Sequence, residues 1–186
     1  MDTFIEQIVQ KRKDGKEWAI IAGIVLAFVV LLFVGFLFLP YISMLLPILL
    51  VGAGYGAWYV ISAQNKEYEY CVTNGDIDVD IIIARRRRKR LVSVSGRKVE
   101  TLLPYDGTVS TAHYQRTVVV APSLQEEGLW YFTYNSKKNG NTLVVFQPDG
   151  RVLNALYGGL QKLVQMETRR AAEAQGLRLD GRRSGE

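Results

Sequence analysis

The chain has 186 residues, 48% of them hydrophobic and 22% charged, and a formal net charge of +5. This length suits one ordinary domain with extensions. Cys71 is the only cysteine and His113 the only histidine. One chain therefore cannot assemble a zinc site from several Cys and His ligands, nor a triad in which a histidine works beside a second base. We expect neither an enzyme nor a bound metal or cofactor.

Residues 1–16 form a short leader before a long apolar tract. The leader's apolar residues follow a helical spacing, with charged residues between and after them. This pattern is typical of an amphipathic helix that lies in a membrane interface. A frayed terminus is the alternative. The apolar residues concerned are Phe4, Ile5, Ile8 and Val9.

The apolar tract runs from Trp18 to Asn65 without one Asp, Glu, Lys or Arg. A membrane-spanning helix needs about 20 apolar residues, so the tract is long enough for two. Pro40 and Pro47 interrupt helix formation near its middle, because proline has no amide donor. The prediction is a transmembrane hairpin over residues 17–64, with spans at about 18–39 and 42–62.

Basic residues flank the predicted hairpin on its outer ends, and the turn between the spans has none. Segments rich in Lys and Arg stay in the cytoplasm. The lone Cys71 agrees, since an unpaired thiol suits a reducing compartment. We therefore predict a protein of the cell membrane with both termini in the cytoplasm. The flanking cations are Lys11, Arg12, Lys13, Lys16 and Lys66.

From Lys66 onward the sequence changes to short β-rich runs divided by turn residues. Asn74-Gly75 and Asn139-Gly140 are strong hairpin signals, because both residue types tolerate positive φ. The number and spacing of the runs favour an all-β barrel or sandwich. Seven strands are predicted, at 67–73, 76–83, 90–95, 98–103, 116–121, 129–135 and 142–147.

The chain ends in a helical pattern followed by a polar tail. One apolar stripe predicts a single amphipathic helix, although Gly158 and Gly159 interrupt it. Residues 176–186 are predicted to be a disordered tail. The stripe comprises Leu153, Leu156, Tyr157, Leu160, Leu163 and Val164.

Seven short strands closed by one amphipathic helix resemble a pleckstrin-homology-like (PH-like) domain. The stretch VVFQPDGRVLNAL (144–156) is similar to the ending of bacterial PH-like domains. MDTFIEQIVQKRK and YCVTNGDIDVDIIIARRRRKRL, with the double span, resemble a family of small bacterial membrane proteins that has no established function. The resemblance implies an α+β membrane protein: a two-helix transmembrane hairpin followed by a seven-stranded antiparallel β-barrel (66–175) capped by a C-terminal α-helix.

Six consecutive cations make the most unusual motif in the chain: Arg85, Arg86, Arg87, Arg88, Lys89 and Arg90. Such a run repels itself and persists only if it is solvated or lies near anions. Only about four residues separate the second span from the first strand. A meander that starts at the membrane would return this run to the membrane end, where anionic headgroups of the inner leaflet contribute about 1 kcal/mol per cation.

Two alternatives compete with lipid contact for the basic run. It could be a solvated hairpin in which Asp78 and Asp80 partly neutralise Arg88 or Arg90 across strands. It could also bind nucleic acid, since basic stretches of this length do so. The nearby bilayer makes nucleic acid the less favoured partner.

Glycines in the second span suggest helix packing. GAGYGA (52–57) fits a dinucleotide fingerprint by spacing, but it lies within an apolar span and lacks the strand that such a site needs. Gly52 and Gly56 instead form G-x-x-x-G, which allows membrane helices to approach closely. We expect them to pack within the hairpin, with a dimer interface as the alternative.

Together these patterns predict a membrane-anchored interaction module without catalysis: an adaptor, scaffold or envelope-associated sensor. Its partners would be anionic membrane lipids and an unidentified protein, with a homo-oligomer as one form. An oligomeric transport or channel component is the first alternative, although the spans lack the ionisable groups that transport pathways carry. Membrane-tethered nucleic-acid binding through the Arg run is the second.

Overall fold

The computed structural model describes residues 4–38, 44–137 and 139–180. These residues form four α-helices and eight β-strands. The helices are α1 (Gly15–Leu37), α2 (Leu46–Ser62), α3 (Gly150–Gly159) and α4 (Lys162–Ala174). The strands are β1 (Phe4–Gln10), β2 (Lys66–Thr73), β3 (Asp76–Ile83), β4 (Arg87–Val94), β5 (Val99–Pro104), β6 (Arg116–Val119), β7 (Trp130–Ser136) and β8 (Gly140–Phe146).

The chain divides into two compact units that are not contiguous in sequence. The helical unit is Arg12–Lys66 with Ile83–Arg86, and the sheet unit is Met1–Lys11, Glu67–Ile82 and Arg87–Glu186. The turn between β3 and β4 therefore belongs to the helical unit, although its strands lie mostly in the sheet unit.

The sheet unit contains two four-stranded sheets and, over the described residues, no closed barrel. Their orders are β1-β2-β3-β4 and β5-β7-β8-β6. The seven predicted strands all form, but the predicted single antiparallel barrel is wrong in its closure and in its direction of pairing. β6 pairs with β8 in parallel, which a simple meander cannot produce. Sequence alternation identifies strands but does not say which edges pair.

The leader is a strand, so the predicted amphipathic helix is wrong. β1 pairs antiparallel with β2 along its whole length, from Phe4 opposite Thr73 to Gln10 opposite Glu67. The same residues fit a period of two, with Phe4 and Ile8 exposed and Val9 buried. The backbone N–H and C=O groups of the leader form hydrogen bonds with the edge of β2. This pairing favours the strand over the helix.

Apolar side chains from both sheets and both C-terminal helices form the core of the sheet unit. Phe146 packs edge-on against Tyr70 and Phe132, with ring centroids 5.7 and 5.3 Å apart. The buried Tyr70 hydroxyl donates to the Val120 carbonyl and accepts from the Gln147 amide. The three rings are thus buried together, and the one hydroxyl among them, that of Tyr70, has hydrogen-bond partners.

Two helices replace the single C-terminal helix that the stripe predicted. α3 ends at Gly159, Leu160 and Gln161 are extended, and α4 begins at Lys162. The break turns Leu163 outward, where it is 66% exposed. Thr168 of α4 donates to the carbonyl of Leu102 on β5, so α4 packs on the second sheet.

The beginning of the predicted disordered tail is ordered. Leu179 is 4% exposed and belongs to the core. Asn154 of α3 donates to the carboxylate of Asp180 and accepts from its amide. Residues 181–186 of the predicted tail lie outside the described residues.

The helical unit is apolar on its outside. Among the described helices, α1 is long and apolar enough to cross a membrane, and only 6% of its most apolar window is buried. α2 is apolar but has only 17 residues, because it begins at Leu46, so the described helices contain one candidate span where the sequence predicted two. Pro47 lies in its first turn, where proline is tolerated. The predicted span ends at residues 39 and 42–43 lie outside the described residues.

Candidate functional site: a basic turn beside the helix ends

The basic run forms a turn and the first half of a strand. The predicted connection was the whole stretch ARRRRKR, but the structure confines it to Ala84–Arg86, and Arg87–Arg90 belong to β4. The amide of Arg86 donates to the carbonyl of Ile83 at 3.0 Å. Ala84 and Arg85 have φ of 52° and 56°, the left-handed conformation of a two-residue type I′ turn.

This turn holds two non-glycine residues where glycine or asparagine is preferred. A left-handed conformation costs a residue with a Cβ atom about 1–2 kcal/mol. A backbone bond offsets part of that cost, because the amide of Ala84 donates to the carbonyl of Asn65 at 2.8 Å. The turn is thereby attached to the residues that follow α2.

Arg86 lies on the end of α2. Its guanidinium is 5.0 Å from the ring centroid of Trp58 and 4.6 Å from that of Tyr59. It also donates a hydrogen bond to the Ser62 hydroxyl. Trp58 and Tyr59 are themselves exposed, at 56% and 42%. A cation over amphipathic aromatic rings is the composition found at the level of lipid headgroups.

The start of α1 carries a matching arrangement. The Lys13 ammonium lies 5.7 Å from the Trp18 ring centroid. One residue earlier, Glu17 accepts from Lys66 at 2.9 Å and also from the amide of Asp14 at 3.2 Å. Glu17 is 6% exposed, and its ion pair joins the first turn of α1 to the residue that begins β2.

The cations of β4 have different partners. Arg88 forms ion pairs with Glu69 and, at 3.9 Å, with Asp80. Arg90 contacts Asp78 at 2.9 Å and Asp80 at 2.8 Å. The hydrogen bond to Asp80 raises the pKa of the Arg90 guanidinium. The predicted neutralisation of Arg88 and Arg90 across strands is therefore present.

Glu69 is the most buried member of this charged cluster, at 5% exposure. Burial raises the pKa of its carboxyl, and the neighbouring Glu6 raises it further, while Arg88 acts in the opposite direction. Sequence analysis missed Glu69. Glu69 lies in the predicted strand 67–73, but its pairing with Arg88 depends on how the strands associate.

Arg87 and Lys89 are exposed, and neither forms an ion pair or an aromatic contact among the described residues. The six predicted lipid-contact residues thus fall into separate groups. Arg88 and Arg90 are bound to carboxylates, Arg86 lies on aromatic rings, and Arg87 and Lys89 face solvent. Arg85 lies at the tip of the turn and is exposed.

The predicted glycine pair of the second span is not tightly packed within the hairpin. An apolar groove lies between α1 and α2, and Gly56 lines it while Gly52 does not. A Cβ atom at either glycine would meet no atom within 4 Å among those described. The closest approach instead involves Gly35, where a Cβ atom would lie 2.7 Å from Leu46 Cδ1.

The comparisons with known proteins identify a family and give no function. The model of the family described as Bacterial PH-like domain (DUF6106) matches residues 1–165. No curated protein and no solved structure matches the chain.

Proposed function

The chain belongs to the bacterial PH-like domain family DUF6106, and from that premise we propose that it is a membrane-anchored interaction module. Its helical unit would cross the membrane twice, and its PH-like domain would present a surface to another protein on the cytoplasmic side. A PH-like domain is compatible with this role. We propose binding rather than catalysis, because the sequence offers no set of catalytic groups.

One observation carries the double crossing: Gln10 lies opposite Glu67 in the β1–β2 ladder. The chain leaves the sheet at Gln10, forms both apolar helices and rejoins the same sheet at the neighbouring position. Both ends of the excursion must then lie on one side of any membrane. An odd number of crossings is incompatible with that ladder, so a membrane-inserted α1 requires α2 to return.

The length of α1 suits a crossing, whereas α2 is short for one. At 1.5 Å per residue, α1 is about 34 Å long and α2 about 26 Å, against a hydrocarbon thickness of about 30 Å. Helices this short or long are accommodated by tilting or by local thinning of the bilayer. The Lys13–Trp18 and Arg86–Trp58 pairs would both lie in the headgroup layer on the side that carries the flanking cations.

The basic turn would then lie against the anionic inner leaflet. Arg87 and Lys89 are exposed and form no ion pair among the described residues, and each would contribute about 1 kcal/mol at such a surface. This is about a third of what six free cations would give. Such an energy suits orientation of a domain that is already anchored, and it is modest for nucleic-acid binding.

Limited proteolysis of the full chain in liposomes tests the lipid contact. Trypsin should cleave at Arg87 and Lys89 more slowly in liposomes with phosphatidylglycerol than in neutral ones, and 1 M NaCl should remove the difference because its Debye length is only about 3 Å. Equal cleavage rates of the wild type in both liposomes would contradict the contact.

Proximity labelling from the C-terminus in living cells tests the interaction role. A recurrent protein neighbour that is lost when the sheet unit is deleted would support it. A chemical activity of the purified protein that one polar substitution abolishes would contradict it.

A further inference from the structure

The sheet unit contains a polar cleft that the proposed function does not use. It has a volume of about 540 Å³, within the range of small-molecule sites. It opens beside the turn between β2 and β3 and beside the break between α3 and α4. Its lining residues are Asn74, Asp76, Arg97, Gly158, Gly159, Leu160, Gln161 and Lys162.

Three glycines meet beside this cleft, and Gly159 is the one that lines it. A Cβ atom on Gly75 would overlap the backbone of Gly159, and one on Gly159 would lie 2.5 Å from the Cα of Gly75. A Cβ atom on Gly96 would overlap the carbonyl oxygen of Gly75. Main chains from the β2–β3 turn, the segment after β4 and the end of α3 therefore meet without side chains between them, which fixes the cleft.

The charges around the cleft are unbalanced. Asp76 is its one carboxylate, and one of its oxygens already accepts from the Ser95 hydroxyl at 2.7 Å and the Gly96 amide at 3.2 Å. Arg97 and Lys162 are exposed, and neither forms an ion pair within the part of the chain that the structure describes. Gln161 donates to the carbonyl of Arg97 at 2.6 Å, which ties the two cationic segments together.

We infer that this cleft binds a small phosphorylated molecule. Arg97 and Lys162 outnumber Asp76, whose Oδ1 is already engaged by Ser95 and Gly96, so the cleft lining has a net positive charge that favours an anion. The arginine fork can contact two phosphate oxygens at once, and the lysine contributes a point charge.

The ligand would come from the aqueous phase. The cleft lies at the Asn74 end of β2, and Lys66, which follows α2, begins the other end. Eight residues of strand span about 26 Å. This step rests on the proposed membrane anchoring, since it places the Lys66 end of β2 nearest the headgroups. The phosphate specificity rests on the cleft alone.

Phosphate titration of the full chain in neutral detergent micelles tests the inference, at constant ionic strength with chloride as the reference anion. The Kd for inorganic phosphate should rise about tenfold in Arg97→Ala and in Lys162→Ala, because each substitution removes a charged hydrogen-bond donor. Lys98→Ala is the matched control. It removes the same charge one residue away, outside the cleft lining, and should bind as the wild type does.

NMR of the wild type provides a test that does not depend on variant stability. Phosphate should shift the backbone amide signals of Gly159–Lys162 and leave those of the distant Arg169 and Glu173 unchanged. Uniform small shifts, or equal losses of affinity in all three variants, would overturn the inference. If phosphatidylglycerol vesicles shift the cleft signals and free phosphate does not, the aqueous source is wrong. Failure of the membrane anchoring would leave the phosphate titration unaffected.

Discussion

Arg86 donates a hydrogen bond to Ser62, although 24 residues separate them and they belong to different kinds of element. The same guanidinium lies over the rings of Trp58 and Tyr59. The turn between two strands is thereby attached to the last turn of an apolar helix. This attachment explains why residues 83–86 form one compact unit with the helices.

Removing the Arg86 side chain should destabilise the helical unit. We expect Arg86→Ala to lower the free energy of unfolding by about 1 kcal/mol, since an exposed cation–π contact contributes about 0.5–1 kcal/mol and the hydrogen bond adds to it. Lys89→Ala removes an exposed cation of the same run without an aromatic contact and should change stability by less than about 0.5 kcal/mol. Thermal unfolding in micelles measures both, and equal effects would contradict the assigned contacts.

A glycine in the left-handed turn at Ala84 should stabilise the protein. Ala84→Gly should raise the free energy of unfolding by about 1 kcal/mol, because it removes the Cβ clash at φ of 52°. Ala171→Gly in α4 is the matched control and should lower it by up to about 1 kcal/mol, as in any helix interior. Urea unfolding of both variants checks the opposite signs. A destabilised Ala84→Gly variant would show that the turn is not strained.

A side chain added at the glycine contact beside the cleft should cause a large loss of stability. Gly159→Ala should lower the free energy of unfolding by about 3 kcal/mol or more, because the added methyl group meets main-chain atoms that cannot rotate away. Gly150→Ala is the control, since a Cβ atom there has open space, and it should be neutral or slightly stabilising. Near-wild-type stability of Gly159→Ala would mean that the two backbones do not touch.

The carboxyl group of Glu69 should make the free energy of unfolding depend on pH. The pKa of its carboxyl is raised in the folded protein from an ordinary value of 4.5, so the folded state binds a proton more tightly than the unfolded state. The contribution of Glu69 to stability should therefore increase as pH falls through the folded pKa toward 4.5. Burial and Glu6 cause this shift, and Arg88 opposes it.

Urea unfolding at several pH values between 8 and 5 measures this linkage. Glu69→Gln should flatten the dependence, because the amide does not titrate. Glu100→Gln, at an exposed glutamate of β5, should leave the wild-type slope intact. An unchanged slope in Glu69→Gln would assign the linkage to other groups.

Local sequence patterns predicted the strands well, and long-range pairing was beyond them. The alternation of Ile77 and Val79 with aspartates located β3, and Asn74-Gly75 located its turn. The leader was misassigned because Ile5 and Val9 fit both a helical and a strand period. The paired residues lie 57 to 69 positions apart in the chain, and no local signal records that.

The sequence indicated some of the contacts of the basic run and could not indicate others. Charge clustering drew attention to Arg85–Arg90, and the carboxylates of Asp78 and Asp80 indicated partners for Arg88 and Arg90. The contact of Arg86 with Trp58 was not predictable, because it depends on where a helix ends relative to a turn. The three-glycine contact was likewise invisible, since Gly75, Gly96 and Gly159 meet only in the folded sheet unit.

The adjacency of Gln10 and Glu67 also makes the hairpin removable. Directly opposed antiparallel residues can be joined by a two-residue loop, and Asn-Gly suits that loop best. Replacing residues 11–66 by Asn-Gly should give a protein that is soluble without detergent and retains the strand signature in circular dichroism. The control carries the same replacement and also lacks three further residues of β2. It should lose the sheet.

The proposed double crossing is tested most directly by labelling single cysteines from each side of the membrane. In a Cys71→Ser background, single cysteines at Arg12, Met44 and Glu67 would be exposed to a membrane-impermeant maleimide in intact spheroplasts and in inverted vesicles. If the chain crosses the membrane twice, Arg12→Cys and Glu67→Cys should react only in inverted vesicles and Met44→Cys only in spheroplasts. Labelling of positions 12 and 67 from opposite sides would contradict it.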